Sequence, residues 1–113
     1  QQTTKKADYK IIESEKEWQK LLKDSSKVVI ADFYAPWCGP CQRVDPVFQK
    51  IGKKLQGPYV FAKVNLDLLP SLCEDYDISS IPQLIVIKKG KILARKLGPK
   101  QVIQYLQNME FRE

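Results

Sequence analysis

The residues best placed to do chemistry lie in "ADFYAPWCGPCQRVDP", Ala31 to Pro46, where Cys38 and Cys41 are separated by Gly39 and Pro40. Such a pair can bind a metal, form a structural disulfide, or open and close as a redox couple. The 113-residue chain has three cysteines and no histidine. That closes off Cys-His nucleophilic sites and mixed Cys/His zinc sites within it. A four-ligand zinc site would need a further thiolate or a carboxylate, and there is no second C-x-x-C pair. Three cysteines make a poor disulfide scaffold, because one is always left over.

The position of the pair favours the redox reading. An apolar run precedes it and a helix-like run follows, so the cysteines sit where a strand turns into a helix. Sites of α/β folds lie at such strand ends. The positive end of the helix dipole favours a thiolate at Cys38. Two intervening residues bring Cys41 back beside Cys38. Gly39 leaves an incoming substrate uncrowded, and Pro40 stiffens the turn. Asp32 interrupts the apolar strand six residues before Cys38. A carboxylate there is desolvated, which raises its pKa.

The elements that must carry these residues follow from periodicity. "YKII" (Tyr9–Ile12) reads as a strand. Ser14 and Glu17 have capping-box spacing before a helix whose apolar face carries Trp18, Leu21 and Leu22. "KVVIADFY" is a nearly continuous apolar run, as expected of a strand covered on both faces. Val44, Val47, Phe48, Ile51 and Leu55 give a second helix, which Pro46 should kink. A strand follows in "GPYVFAKVNLD" (57–67), then a short helix with Leu69, Leu72, Cys73 and Tyr76 on one face. "IPQLIVIKKGKILARKLG" reads as a hairpin turning at Gly90. Val102, Ile103, Leu106 and Met109 close the chain with a helix. The order β-α-β-α-β-α-β-β-α predicts one α/β domain, with a central mixed sheet and helices on both faces.

Charge and composition narrow the rest. Nineteen basic and thirteen acidic residues give a net charge of +6. The basic residues fall in scattered pairs such as Lys5-Lys6, Lys53-Lys54 and Lys88-Lys89, without the interleaved aromatics of a single-strand nucleic-acid surface. No nucleic-acid partner is expected. Runs such as "LIVI" are far short of the ~20 apolar residues a membrane span needs, so no membrane insertion is expected. The polar start, residues 1–8, reads as a disordered tail, and residues 9–113 as the folded domain. The first residue is Gln1, not Met, which leads to the expectation that an upstream segment has been removed. The protein would then be cytoplasmic or, after removal of a presequence, organellar, secretory or exported.

The sequence resembles the thioredoxin family. It carries "WCGPC" whole, preceded by "DFYAP" and followed by Pro46, together with "KVNLD", "ISSIPQLIVIKKG" and Gly98, and the match runs from about Tyr9 to Met109. The resemblance implies a thioredoxin fold and a protein-disulfide reductase. It implies Cys38 as nucleophile, Cys41 as resolving thiol, Asp32 as proton relay for Cys41, and Lys63 as the lysine beside that carboxylate. It further implies a cis bond before Pro82 that faces the cysteines. An apolar substrate-binding rim would consist of Trp37, Ile81, Pro82, Leu97 and Gly98, bordered by Tyr76. No bound cofactor is expected, and reducing equivalents would come from NADPH through a separate thioredoxin reductase. Disulfide-containing target proteins are the other expected partners.

Cys73 matches no family site and reads as a small buried hydrophobe. Tyr34, Gln42 and Arg43 depart from common family residues near the thiols, and the segment after Gly98 is short. Two other readings compete. An oxidant or isomerase would keep the fold, but such proteins usually carry histidine where this chain has Pro40. A redox-active subunit of a larger complex, such as a protein-translocation machine, would hold or reduce cargo.

Overall fold

The computed structural model describes residues 8–24, 26–54, 57–97, 101 and 104. The elements run β1 (Asp8–Ile12), α1 (Glu15–Lys23), β2 (Val28–Tyr34), α2 (Gly39–Lys54), β3 (Tyr59–Asn65), α3 (Ser71–Asp75), β4 (Gln83–Lys88) and β5 (Lys91–Leu97). The strands form one mixed sheet in the order β1-β3-β2-β4-β5. β1, β3 and β2 are mutually parallel, and β4 and β5 are antiparallel additions. β1 begins at Asp8, whose carboxylate pairs with Lys27 at 2.8 Å, so the boundary expected between residues 8 and 9 moves back by one. Residues 1–7 lie outside the described residues. Most of the expected last helix does too, although Gln101 and Gln104 are helical.

β2 is central, which explains its unbroken apolar run. Alternate residues point to opposite faces. Val29, Ala31 and Phe33 join Trp18, Leu69 and Leu72 on the face of α1 and α3, whereas Val28 and Ile30 join Phe48, Ile51 and Phe61 under α2. Asp32 therefore belongs to the α2 face. It carries a polar group into a layer otherwise filled by aliphatic and aromatic side chains.

Local chemistry sets the element ends. Ser14 Oγ accepts from the Glu17 amide at 3.1 Å, and Glu17 Oε1 accepts from the Glu13 amide at 2.9 Å. This is a capping box whose carboxylate reaches one residue further back than the simplest form. β3 stops at Asn65 because the Asn65 Oδ1 accepts from the Asp67 amide at 2.9 Å, a side-chain turn that replaces the ladder bond. α3 is shorter than the apolar spacing implied. The hairpin turns on Lys89 and Gly90, both at positive φ (54° and 77°), the backbone of a type I′ turn. Pro46 lies inside α2, which continues past it to Lys54.

Candidate active site

β2 delivers the chain to a tight turn at Ala35-Pro36-Trp37, and α2 begins at once. The Cys38 amide donates to the Ala35 carbonyl at 3.1 Å, and the Gln42 amide donates to the Cys38 carbonyl at 3.2 Å. That second bond opens the helix and makes Cys38 its N-cap. The Cys41 amide then donates to Cys38 Sγ at 3.2 Å. A serine or threonine hydroxyl accepts this same bond in an ordinary cap. Here the acceptor is the reactive sulfur, and the first-turn amides and helix dipole favour its charged form. Pro40, in the first turn, lacks an amide hydrogen where none is needed. Gln42 braces the turn, its Nε2 donating to the Pro36 carbonyl at 3.1 Å.

Cys38 and Cys41 are disulfide-bonded with a Cα–Cα distance of 5.3 Å, within the usual range for such bridges. Both are buried, and their neighbours Trp37, Gly39 and Pro40 are exposed. The loop is thus as open as expected, but the sulfurs themselves are more shielded. Their surroundings differ. Cys38 Sγ lies 3.9 Å from the Ile81 carbonyl oxygen, next to the cis Ile81–Pro82 bond. Cys41 lines a cavity of about 310 Å³ together with Tyr34, Ala35, Gln42, Asp45, Pro46 and Lys63.

Asp32 lies on β2, 1% exposed, and its Oδ1 has no hydrogen-bond partner among the described residues. Burial pushes its pKa up to about 7. The Lys63 ammonium opposes that shift, and the Asp45 carboxylate adds to it. Lys63 is the register neighbour of Asp32 on β3, so both side chains share the α2 face. Its ammonium, however, is ion-paired with Asp45 Oδ1 at 3.0 Å and sits 4.6 Å over the Tyr34 ring. Burial also raises the Tyr34 phenol, and burial with the nearby carboxylates pushes Tyr9 up to about 12.

Around the disulfide, Trp37 is 72% exposed, and its Nε1 donates to Asp67 Oδ1 at 3.2 Å. Ile81 and Pro82 are half-buried beside it. Tyr76, half-buried just past the end of α3, packs its ring against Trp18 and Phe33 at centroid distances of 5.7 and 5.6 Å. Cys73 is a free thiol, half-buried rather than buried, packed against the same core. Of Leu97 only the backbone is described, paired with Leu84. Gly98 lies outside the described residues.

Two features were missed in the sequence. Asp45 claims Lys63; its place one helical turn after Cys41 was the available signal. Arg95 on β5 fastens the loop before Pro82. Its Nη2 donates to the carbonyls of Tyr76 and of Asp77 (3.1 Å) and to Gln83 Oε1 (3.4 Å). Nothing local in "ILARKL" signals that bond.

Among the described residues, no cluster of three or more His, Cys, Asp or Glu could hold a metal ion, and no helix is long and apolar enough to cross a membrane.

A family model described as Thioredoxin matches residues 9–110. The chain is 38% identical over 92 residues to a thioredoxin of Chlorobaculum thiosulfatiphilum, covering 80% of this chain and 85% of that one. It is 36% identical over 86 residues to a Bacillus subtilis thioredoxin, covering 74% and 83%. A crystal structure of reduced Schistosoma mansoni thioredoxin superposes with a TM-score of 0.81 at 28% identity, covering 90% of this chain and 98% of that one.

Proposed function

Because the chain belongs to the thioredoxin family, it is a thiol-disulfide oxidoreductase that reduces protein disulfides, and we propose that its two cysteines divide the reaction as follows. Starting from the dithiol, the Cys38 thiolate attacks one sulfur of a target disulfide. A Cys38–target bond forms, and the other target sulfur leaves as a thiolate. Cys41 then gives its proton to the Asp32 carboxylate and attacks Cys38 Sγ. The Cys38–Cys41 bond forms and the second target thiolate leaves. Two electrons pass from the dithiol to the target.

The observation that carries this assignment is the capping bond from the Cys41 amide to Cys38 Sγ. It stabilises charge on Cys38 alone. Cys41, facing the Lys63 and Asp45 cavity, has the polar surroundings suited to losing a proton later. An Asp32 carboxyl balanced near pH 7 is suited to taking that proton and returning it to water. Trp37, Ile81 and Pro82 form the apolar ground on which an extended target segment lies. The Ile81 backbone offers it strand-like hydrogen bonds. Disulfide-containing proteins and a reductase are the partners the family implies, and the reducing equivalents come from NADPH through that separate reductase. Kinship with thioredoxins favours this reading over a subunit that only holds cargo in a larger assembly.

A Cys41→Ser variant tests the division. It should accumulate a mixed disulfide through Cys38 when offered a disulfide-containing protein, and Cys38→Ser should capture none. Capture through Cys41 in the Cys38→Ser variant, with none in Cys41→Ser, would reverse the roles.

A further inference from the structure

A lysine registered beside a buried carboxylate ordinarily pairs with it, since burying an unpaired charge is costly. Lys63 and Asp32 are such register neighbours. Yet the Lys63 ammonium lies 3.0 Å from Asp45 Oδ1, and the Asp32 Oδ1 is without a hydrogen-bond partner among the described residues. Asp45 is itself held from one turn further along α2, where Gln49 Nε2 donates to its Oδ2 at 3.0 Å. Cys41 and Asp45 are four residues apart on α2 and line the same cavity, with Lys63 on its wall. The pair is about one-fifth exposed on each side (20% and 22%), so solvent screens it only in part.

We propose that Asp45 is a positioning residue for the resolving step: by holding the Lys63 ammonium at the cavity beside Cys41, it withholds that cation from Asp32 and so sets how readily Asp32 accepts the Cys41 proton. The proposal rests on the roles given above to Cys41 and Asp32. Among the described residues, the titratable groups that act on Asp32 or feel its charge are Lys63 from β3, Asp45 from α2, Tyr34 from β2 and Tyr9 from β1. β4 presents only its apolar register partner Leu84. Both tyrosines hold their protons above their ordinary range, so among the described residues Lys63 and Asp45 are the charges whose fields act on Asp32.

Removing the Asp45 charge has two effects of the same sign. Lys63 is freed to stabilise the Asp32 carboxylate, and a repelling carboxylate disappears. Asp32 becomes a weaker base, and a weaker base takes the thiol proton more slowly.

The test is a carboxyl-carbon NMR titration of the oxidised protein, with Asp32→Asn identifying the Asp32 signal. Asp45→Asn should move the Asp32 midpoint down by about one pH unit, Asp45→Ser should repeat the shift, and Asp45→Glu should restore the wild-type midpoint. The pH profile of mixed-disulfide resolution should move the same way. An unmoved midpoint, an upward shift, or a downward shift that Asp45→Glu leaves in place would overturn the proposal. The Cys41→Ser capture separates the two levels. If mixed disulfide accumulates there while the Asp45 variants titrate like wild type, only the role of Asp45 fails.

Discussion

At the scale of single residues, the site depends on side chains used against their ordinary habit. Cys38 occupies a helix N-cap, where its sulfur takes the bond a hydroxyl usually accepts. Asp32 is a carboxyl inside an apolar layer, with a pKa raised to about 7 chiefly by burial. The raised value ties stability to pH. Between about pH 4 and pH 7 the unfolded chain has already released the Asp32 proton while the folded chain retains it. The folded state therefore binds more protons, and its stability falls as pH rises through that window. Asp32→Asn removes this cost. In urea titrations of the oxidised protein, the variant should exceed the wild type by roughly 4 kcal/mol at pH 8 and by little at pH 3. An equal gain at both values would mean that the carboxyl is not held protonated by burial. The anomaly of Asp32 was legible in the sequence, as a charge in the middle of "VVIADFY". Its relation to Lys63 and Asp45 was not. That depends on which of two carboxylates a long, flexible lysine reaches, and only the sheet register and the docking of α2 decide it.

At the scale of elements, most of the architecture could be read from period and caps. β2 was legible as central because both its faces are apolar, α1 from Ser14 and Glu17, and the hairpin from Lys-Gly between two strand runs. Tyr76 shows where periodicity stops being informative. The spacing put it on an apolar helix face, but that its ring meets Trp18 and Phe33 depends on how a five-residue helix docks. The loop from Tyr76 to Gln83 is a second case. It brings Ile81 to Cys38, yet the side chain that fastens it, Arg95, comes from β5, across the hairpin. Arg95→Met keeps much of the side-chain bulk and removes the donors. It should destabilise the protein by about 1–3 kcal/mol and speed amide hydrogen exchange from Ile78 to Gln83 more than in β2. Exchange unchanged in that loop would show that Arg95 does not hold it.

At the scale of the whole molecule, a mixed sheet with a rigid, doubly covered central strand presents one short, stiff turn at its end. The fold supplies the helix terminus, the buried carboxyl and the facing Ile81–Pro82 loop at the same place. The pairing of Cys38 with Cys41 was legible because two residues of separation at a helix start bring the second cysteine back beside the first. The degree to which both sulfurs are shielded was not, because Ala35, Tyr34 and Ile81 close around them only once the sheet and loop have assembled. Stabilising the Cys38 thiolate by a capping amide favours the dithiol and so raises the reduction potential; the pair remains an electron donor to protein disulfides only while that stabilisation is modest. The direct measurement is the reduction potential of the Cys38–Cys41 pair in glutathione buffers. A donor of electrons to protein disulfides should lie near about −270 mV. A value above about −200 mV would contradict the account, because a pair that oxidising withdraws electrons from its targets instead of supplying them.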